Sequence, residues 1–303
     1  MPLTLNKEEE LPGYWKKAIL KMPGLSADLV IDYYSKRIKV MNFRGPFKVL
    51  GPFLKELAAL EKAGKIIVYA PSREVCALKA CGYKKEGMIT GYFAGEDCHI
   101  FSTFPEKSRK ESSFPKKKDR IVEECLKKSG SREKNGERRG MNTKINTLPE
   151  GYVLRPADEA DVPAMAALYS RGFQLYPSPL HKESYLLETM GMGVFYLVIE
   201  KDGKIVSLAS AEKEPELENA EVTDCLTVPE ERGKGFIKKL ILGLEDELAA
   251  RNFKSLYTLC RATSPGINGA FSSLGYAYTG RLVNNCKIME GFEDMNIWCK
   301  LLR

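Results

Sequence analysis

Residues 220–251 read AEVTDCLTVPEERGKGFIKKLILGLEDELAAR, which is a strand, a glycine-containing turn and a helix in succession. We interpret the first nine residues as the strand. Apolar residues recur at helical spacing after the turn and predict a helix over residues 236–251. A glycine turn at a helix N-terminus exposes backbone N–H groups at the positive end of the helix dipole. This arrangement suits a bound pyrophosphate, because glycines let the backbone approach the anion closely.

Beyond this stretch, residues 149–303 predict an α/β domain of strands and helices. FYLVIE and KIVSLASAEKE flank Asp202-Gly203, a strong hairpin signal. Asp158 can cap a helix that runs to about residue 171, because its carboxylate accepts hydrogen bonds from free N–H groups. The other predicted elements are strands at 152–156, at 254–260 and at the C-terminus, and helices near 181–190 and 265–274.

The N-terminal segment, residues 1–105, also predicts a mixed α/β domain. Its predicted elements are strands at 29–34, 37–43, 65–70, 84–93 and 98–104, and helices at 47–63 and 72–81. Both segments end with a strand, a helix, Gly-Tyr, a strand and a final strand opened by an acidic pair, Glu96-Asp97 or Glu293-Asp294. We therefore expect an internal duplication. The first copy is degenerate, because it has no glycine-rich turn between its strand and helix.

Residues 106–148 are expected to form a charged linker. The part from Glu106 to Lys144 holds fourteen Lys or Arg and seven Asp or Glu, which accounts for the whole net charge of +7. So few aliphatic residues cannot bury enough apolar surface to offset the entropy cost of ordering. One short helix is predicted over residues 120–128, with Asp119 as its N-cap. A nucleic-acid tether is the alternative, which is disfavoured because no aromatic residues are interleaved for base stacking.

Composition excludes several classes of protein. With 44% hydrophobic and 29% charged residues, the chain has the composition of an ordinary soluble globular protein. We find no apolar run of about 18 residues for a membrane span, and the N-terminus lacks the apolar core of a secretory signal. The eight cysteines form no C-x-x-C pair and only two histidines are present, so we expect no metal site. Reduced thiols in a cytoplasmic protein are the expectation.

The stretch at 220–251 resembles the GNAT superfamily of N-acetyltransferases, whose pyrophosphate turn is Arg/Gln-x-x-Gly-x-Gly/Ala after the fourth strand. Arg232 and Gly235 match the first and fourth positions, whereas Ile237 departs from the small residue expected at the sixth. A shifted register places both glycines but puts Glu230 in the arginine position. The resemblance implies an α/β (α+β) GNAT fold for residues 149–303, with a central, mostly antiparallel mixed sheet flanked by helices. A smaller, degenerate GNAT-like α/β domain precedes it.

A closer resemblance, to the beta-lysine N-acetyltransferases, covers both halves of the chain. The shared features are TDCLTVPEERGKG, ATSPGIN, a GY-x-x-TG strand with Asn284-Asn285, FEDMN-x-W, and GYF-x-GED at residues 91–97. That family is taken to acetylate the ε-amine of β-lysine, and the product, Nε-acetyl-β-lysine, is a compatible solute used in osmoadaptation. The resemblance implies acetyl-CoA as co-substrate, a small-molecule amine as acceptor and no metal. A homodimer is compatible with it.

The same resemblance implies which residues hold acetyl-CoA. They lie at the end of the strand and in the turn: Leu226, Thr227, Val228, Arg232, Gly233, Lys234, Gly235, Phe236 and Ile237. Asn268 could also contact CoA, or it could merely cap its helix. The general acid of GNAT enzymes is usually a Tyr four residues before the Gly-Phe/Tyr pair. Phe271 occupies that position here, so no acid is assigned.

Acetyl transfer to a lysine-type amine needs a base, because such an amine has a pKa near 10.4 and losing its proton at pH 7 costs about 4.6 kcal/mol. Alternation along the strand places Val222, Asp224 and Leu226 on one face and Glu221 on the other. Asp224 is the first candidate, because a carboxylate in an apolar run is costly unless it is used or paired. Glu221 is the second. A purely structural Asp224 is the alternative.

The acceptor would carry two ammonium groups and a carboxylate. Glu293 and Asp294 could receive an ammonium, and Arg281 could bind the carboxylate with two hydrogen bonds. The loop containing Phe173 and Tyr176 lies where this fold usually closes over its substrate. Each of these residues could instead serve the core, a cap or the surface. Acetylation of protein lysines or polyamines, and acyl-CoA binding without catalysis, remain alternative functions.

Overall fold

The computed structural model describes residues 4–134, 148–173, 175–289 and 291–302. These residues form two seven-stranded mixed sheets, one in each half of the chain. The N-terminal strands are β1 (Thr4–Leu11), β2 (Trp15–Met22), β3 (Leu25–Asp32), β4 (Arg37–Arg44), β5 (Lys65–Pro71), β6 (Lys84–Phe93) and β7 (Glu96–Thr103). Helix α1 (Phe47–Leu60) joins β4 to β5, and α2 (Val75–Ala80) joins β5 to β6. The order across the sheet is β1-β2-β3-β4-β5-β7-β6.

The C-terminal half has strands β8 (Tyr152–Pro156), β9 (Phe195–Lys201), β10 (Lys204–Glu214), β11 (Asn219–Thr227), β12 (Ser255–Arg261), β13 (Ala277–Ile288) and β14 (Gly291–Leu301). Its helices are α4 (Val162–Gly172), α5 (Glu183–Gly191), α6 (Phe236–Ala250) and α7 (Pro265–Ser273). The strand order is β8-β9-β10-β11-β12-β14-β13. The parallel strands β11 and β12 pair only over residues 219–221 and 255–257. The two strands therefore part towards their C-terminal ends.

Both sheets have the same strand order and one parallel pair at the same place, β4–β5 and β11–β12. This shared topology is the one that the predicted duplication requires. In the N-terminal half, β1 and β2 are joined by a short turn, whereas in the C-terminal half two helices lie between the corresponding strands β8 and β9. The short turn Gly45-Pro46 leads into α1. At the corresponding position, the C-terminal half has the longer turn at residues 229–235, which leads into α6. The N-terminal copy therefore lacks the segments that build the site described below.

The prediction that residues 106–148 form a linker is wrong for its first part, because residues 107–134 are folded. Helix α3 (Pro115–Lys134) begins at a proline, which is favoured at a first helical position, rather than after Asp119. Ile121 and Cys125 lie one turn apart and are buried in the C-terminal core. This narrow apolar stripe packs the helix against the C-terminal core, although most residues of the helix are polar or charged. Residues 135–147 lie outside the described part of the chain.

The C-terminal sheet is covered differently on its two faces. Helices α6 and α7 pack on one face, and α4 and α5 pack on part of the other. The rest of that second face, on β12 to β14, packs against β5, β6 and β7 of the N-terminal sheet. A Cβ atom on Gly280 would collide with the backbone of Gly87, so the halves approach too closely there for a larger residue. In the described residues, no helix is long and apolar enough to span a bilayer.

Candidate active site

A bulge in β11 shapes the centre of the site. Ser210 of β10 lies opposite Thr223, and Leu208 lies opposite Leu226, so Asp224 and Cys225 face a single residue of β10. Asp224 has a φ of 51°, in the left-handed region that bulged residues often adopt. The extra residue reverses the direction of the side chains that follow it. Val222 therefore packs under α6, whereas Leu226 packs under α4.

This reversal corrects the expectation that Val222, Asp224 and Leu226 share one face. Simple alternation assumes an uninterrupted strand, and the inserted residue breaks it. The bulge also removes backbone groups near Asp224 from the regular ladder between β10 and β11. Beyond Glu221 and Tyr257, β11 and β12 no longer pair, so the backbone groups on that edge of β11 have no ladder partner in β12.

The side chain of Asp224 is almost fully buried and held by two hydroxyl groups. Tyr176 donates a hydrogen bond to Oδ1 at 3.1 Å, and Ser210 donates one to Oδ2 at 3.0 Å. Tyr169 donates to the backbone carbonyl of Asp224 at 3.1 Å. Burial, together with the nearby negative charge of Glu212, raises the pKa of Asp224 to about 7. A carboxyl with this pKa can both accept and release a proton at neutral pH.

An aromatic stack links α4 to the loop that follows it. The rings of Tyr169 and Phe173 stack with centroids 5.7 Å apart, and those of Phe173 and Tyr176 stack at 4.3 Å. The N–H of Met289, in the turn between β13 and β14, donates to the carbonyl of Leu175 at 3.1 Å. The structure thus brings Phe173 and Tyr176 to Asp224 and ties their loop to the last hairpin.

Glu221 lies earlier on β11, on the face turned towards the N-terminal half. It is opposite Glu212 in the β10–β11 ladder and beside Tyr257 in the β11–β12 pair. Burial and the charge of Glu212 raise the pKa of Glu221 to about 8. Two carboxyl groups with raised pKa values, Asp224 and Glu221, therefore lie along one strand. Such pairs are a common feature of sites that transfer protons.

The turn before α6 is open. Gly233 and Gly235 have φ values of 83° and 78°, and a Cβ on either would meet nothing within 4 Å. Among the described residues, none accepts a hydrogen bond from the backbone N–H groups of residues 233–237. These groups lie at the positive end of a 15-residue helix. The residues present therefore fit the pyrophosphate of CoA.

The side chains around this turn serve mainly to hold it. Arg232 donates from Nε to the carbonyl of Thr227 at 3.2 Å. Lys234 pairs with Glu231 and donates to the hydroxyl of Tyr152. Phe236 and Ile237 pack into or against the core, and the N–H of Val228 is bonded to the carbonyl of Val206. The open amides lie in the turn, and the backbone N–H of Val228 is not among them.

The chain can now be compared with known proteins. The family model "Acetyltransferase (GNAT) family" matches residues 162–276. Beta-lysine N6-acetyltransferase of Methanosarcina mazei is 56% identical over 271 residues, which are 86% of this chain and 100% of that protein. The chain belongs to the beta-lysine N6-acetyltransferase family. It is an acetyl-CoA-dependent N-acetyltransferase of the GNAT type, as the resemblance implied.

Two further relatives of this acetyltransferase align with both of its halves. N-acetyltransferase YodP of Bacillus subtilis is 34% identical over 93% of the chain and 98% of its own length. Beta-lysine N6-acetyltransferase of Methanococcus maripaludis is 32% identical over 89% of the chain and 94% of its own length. The N-terminal half is therefore a shared part of these proteins.

Three of the residues expected to bind substrate are already paired inside the acetyltransferase. Asp294 is fully buried and accepts hydrogen bonds from the ammonium of Lys118 at 2.8 Å and the N–H of Asn284 at 2.8 Å. Arg281 pairs with Asp119 of α3 at 2.7 Å. A role in receiving the substrate does not fit Asp294, because its charge is satisfied away from solvent. Both Asp294 and Arg281 anchor α3 instead.

Glu293 is paired as well, with Arg261 at 2.9 Å and Thr263 at 3.2 Å. Asn268 is fully buried, and its side-chain oxygen accepts hydrogen bonds from Asn296 and Trp298, each at 2.8 Å. Its amide nitrogen donates to two backbone carbonyls near the start of α7. Asn268 therefore has no polar atom left for CoA. Of its two expected roles, the structural one fits.

Sequence reasoning missed Ser210, Tyr169 and Glu212, which all act on Asp224. Ser210 and Glu212 lie in KIVSLASAEKE, where nothing in the residue pattern shows that a bulge follows on the next strand. Tyr169 lies on a helix whose apolar face explains it equally well as a core residue. Only the packing of α4 against the bulge brings its hydroxyl to the site.

Proposed function

We propose that this enzyme transfers an acetyl group from acetyl-CoA to the 6-amino group of β-lysine. The observation that carries the proposal is Asp224, a buried carboxyl with a raised pKa on a strand bulge, next to a gap between parallel strands that leads to an open glycine turn. The relationship to proteins named beta-lysine N6-acetyltransferase supports the choice of acceptor.

The turn at residues 233–237 holds the pyrophosphate of the co-substrate. Each N–H that donates to a charged oxygen contributes about 1.5–3 kcal/mol, and the helix dipole adds to this. When bound, acetyl-CoA supplies the activated acetyl group as a thioester. With acetyl-CoA bound, the gap between β11 and β12 would let the thioester reach the bulge, where a backbone N–H of β11 would stabilise the negative charge on the carbonyl oxygen. The C–S bond of the thioester would then break as the C–N bond forms, and CoA would leave as its thiolate.

Asp224 takes the proton from the attacking amine. The hydroxyl groups of Tyr176 and Ser210 fix the orientation of the carboxylate. The carboxylate is therefore already positioned to accept the proton when the amine binds. An amine with a pKa near 10.4 is almost fully protonated at pH 7. A carboxylate in a buried site beside it both attracts the ammonium and receives its proton, which makes the free amine available for attack.

Steady-state release of CoA from acetyl-CoA tests this proposal. The acceptors to compare are β-lysine, α-lysine, a lysine-containing peptide and spermidine. We expect kcat/KM to be highest for β-lysine by at least about tenfold. A higher value for the peptide or for spermidine would overturn the proposed acceptor while leaving the fold and the cofactor unaffected. No release with any acceptor would overturn the proposed activity.

A further inference from the structure

The N-terminal half presents a cationic face to the site. Ile38 and Val40 of β4 are buried in the N-terminal core, so Arg37, Lys39 and their neighbours on the alternate positions face the C-terminal half. Two observations agree with this placement. Arg37 donates from Nη1 to the carbonyl of Asn285 on β13 at 3.0 Å, and Ile67, the partner of Lys39 in the β4–β5 ladder, is buried between the two halves.

Across the interface, the C-terminal sheet presents two carboxyl groups. Glu212 and Glu221 are directly opposite each other on β10 and β11. The residues on either side of Glu221, Ala220 and Val222, are buried beneath α6, so Glu221 faces away from α6. Its neighbour Tyr257 on β12 is buried between the halves. Glu212 and Glu221 therefore face the sheet that carries Lys39.

Lys39 differs from Arg37 in its charged neighbours. Arg37 is held by Asp32 at 2.8 Å. Among the described residues, no carboxylate lies within ion-pair distance of the Lys39 ammonium, although Asp32, which is already paired with Arg37, and then Glu221 and Glu212 act on it from farther away. Burial and the neighbouring charge of Arg37 lower the pKa of Lys39. A half-buried ammonium in this position gains from an anion brought in by a ligand.

We propose that Lys39 binds the carboxylate of the acceptor amino acid, while Glu212 and Glu221 receive the ammonium that is not acetylated. This inference rests on the proposed function, since it assumes a diamino acid as the acceptor. Glu221 and Asp224 are three residues apart, about 10 Å along a strand. The two nitrogens of β-lysine are separated by four carbon atoms, which is shorter than this spacing, and the long side chain of Glu221 can span the remainder when the far amine lies at Asp224.

The N-terminal half is then part of the acceptor site. It supplies the charge that distinguishes a free amino acid from a diamine, which has no carboxylate, and from a lysine inside a peptide, whose carboxyl is in an amide bond. The acceptor lies between Lys39 of β4 and the carboxyl groups of β10 and β11, with its reacting end at Asp224 and Tyr176. This arrangement gives the degenerate copy a role in specificity without any catalytic group of its own.

The test compares Lys39→Met with the wild-type enzyme on β-lysine and on 1,4-diaminopentane, which is the same molecule without the carboxylate. We expect KM for β-lysine to rise at least about tenfold, with kcat/KM for 1,4-diaminopentane and KM for acetyl-CoA within about twofold of wild type. Lys39→Arg should recover most of the loss. Lys55→Met, on the exposed face of α1, is the matched control and should behave as wild type.

An equal loss on both acceptors would overturn the inference, because it would show that Lys39 acts on the fold or on catalysis in general. An unchanged KM for β-lysine in Lys39→Met would overturn it too, by placing the carboxylate elsewhere. If the wild-type enzyme turns over spermidine or the peptide but not β-lysine, the proposed acceptor fails first and the inference fails with it. A thermal unfolding curve for each variant confirms that the folded protein is being compared.

Discussion

Asp224 combines an uncommon backbone conformation with a costly side-chain environment. A positive φ is unfavourable for most residues but is tolerated best by Asn, Asp and Gly. The neighbouring hydroxyl groups of Tyr176 and Ser210 satisfy both carboxylate oxygens. Features of this kind persist where a function needs them. The residue is therefore best tested by a change that keeps the conformation and removes only the charge.

Asp224→Asn is that change, since Asn tolerates the same φ and has nearly the same shape. We expect kcat with β-lysine to fall more than about tenfold, because the amide cannot accept the proton of the amine. Asp202→Asn is the matched control: Asp202 also has a positive φ, 49°, but lies in the exposed β9–β10 turn. If kcat of Asp224→Asn equals that of the wild type, Asp224 is not the base and Glu221 becomes the first candidate.

The raised pKa of Asp224 also makes a prediction about pH and stability. Between the unfolded-state pKa, near 3.9, and the folded-state pKa, about 7, the folded protein binds the proton that the unfolded chain releases. The stabilising contribution of the protonated carboxyl is therefore lost as the pH rises through this window, by up to about 1.4 kcal/mol per pH unit.

Urea unfolding of wild type and Asp224→Asn at pH 5 and pH 8 measures this effect. The unfolding free energy of the variant minus that of the wild type should increase as the pH rises. The wild type loses stability when Asp224 ionises, whereas the variant has no carboxyl to ionise there. In the same range, kcat/KM of the wild type should rise with pH through a midpoint near 7, and that step should be absent from the variant. A constant difference in stability between the two proteins would contradict the raised pKa.

At the scale of elements, the turn before α6 should bind the co-substrate through its backbone. Gly235→Asp places a carboxylate beside the proposed pyrophosphate position, so KM for acetyl-CoA should rise at least about tenfold while KM for the acceptor changes little. Gly203→Asp is the control, since Gly203 has a φ of 73° and equally open surroundings in the β9–β10 turn. Equal values of KM for acetyl-CoA in the two variants would exclude this turn as the binding site.

The elements themselves were predictable where local pattern decides them. The hairpin at Asp202-Gly203, the strand before the glycine turn and α6 all occur as expected. Strand β1 was not predicted, because half of the residues of TLNKEEEL are charged. It is an edge strand, where charged side chains are tolerated and pair across strands, as Lys17 and Glu9 do at 2.7 Å. The bulge at Asp224 was missed because it depends on pairing with β10, which the sequence of β11 alone does not contain.

At the scale of the whole molecule, the sequence indicated the repeat but not how its copies meet. The shared Gly-Tyr and acidic pairs pointed to two similar halves, and both sheets do have the same strand order. The approach of Lys39 to Glu221 depends on two sheets packing face to face. Residues separated by nearly two hundred positions face each other there, beyond ion-pair distance, and no local periodicity indicates such a placement.

The segment between the halves fastens them together rather than separating them. Arg109 is buried and donates to the carbonyls of Lys36 in the N-terminal half and Asn284 in the C-terminal half, both at 2.6 Å. A few residues later, Lys118 of α3 pairs with Asp294 of β14. Their side chains are 2% and 0% exposed. Charges on this segment that appear solvated in the sequence are therefore part of the interior, and their loss should affect the stability of the fold.

Lys118→Met leaves Asp294 as a buried carboxylate without its cation, so we expect the free energy of unfolding to fall by about 3–5 kcal/mol. Arg120→Met on the same helix breaks an exposed pair with Glu124 and should cost less than about 1 kcal/mol. The double variant Lys118→Met with Asp294→Asn should recover part of the loss, because it removes the unpaired charge along with its partner. Urea unfolding measures all three. Equal effects of Lys118→Met and Arg120→Met would mean that α3 is a spacer, as its composition suggested, and that its buried ion pair does not fasten it to the acetyltransferase domain.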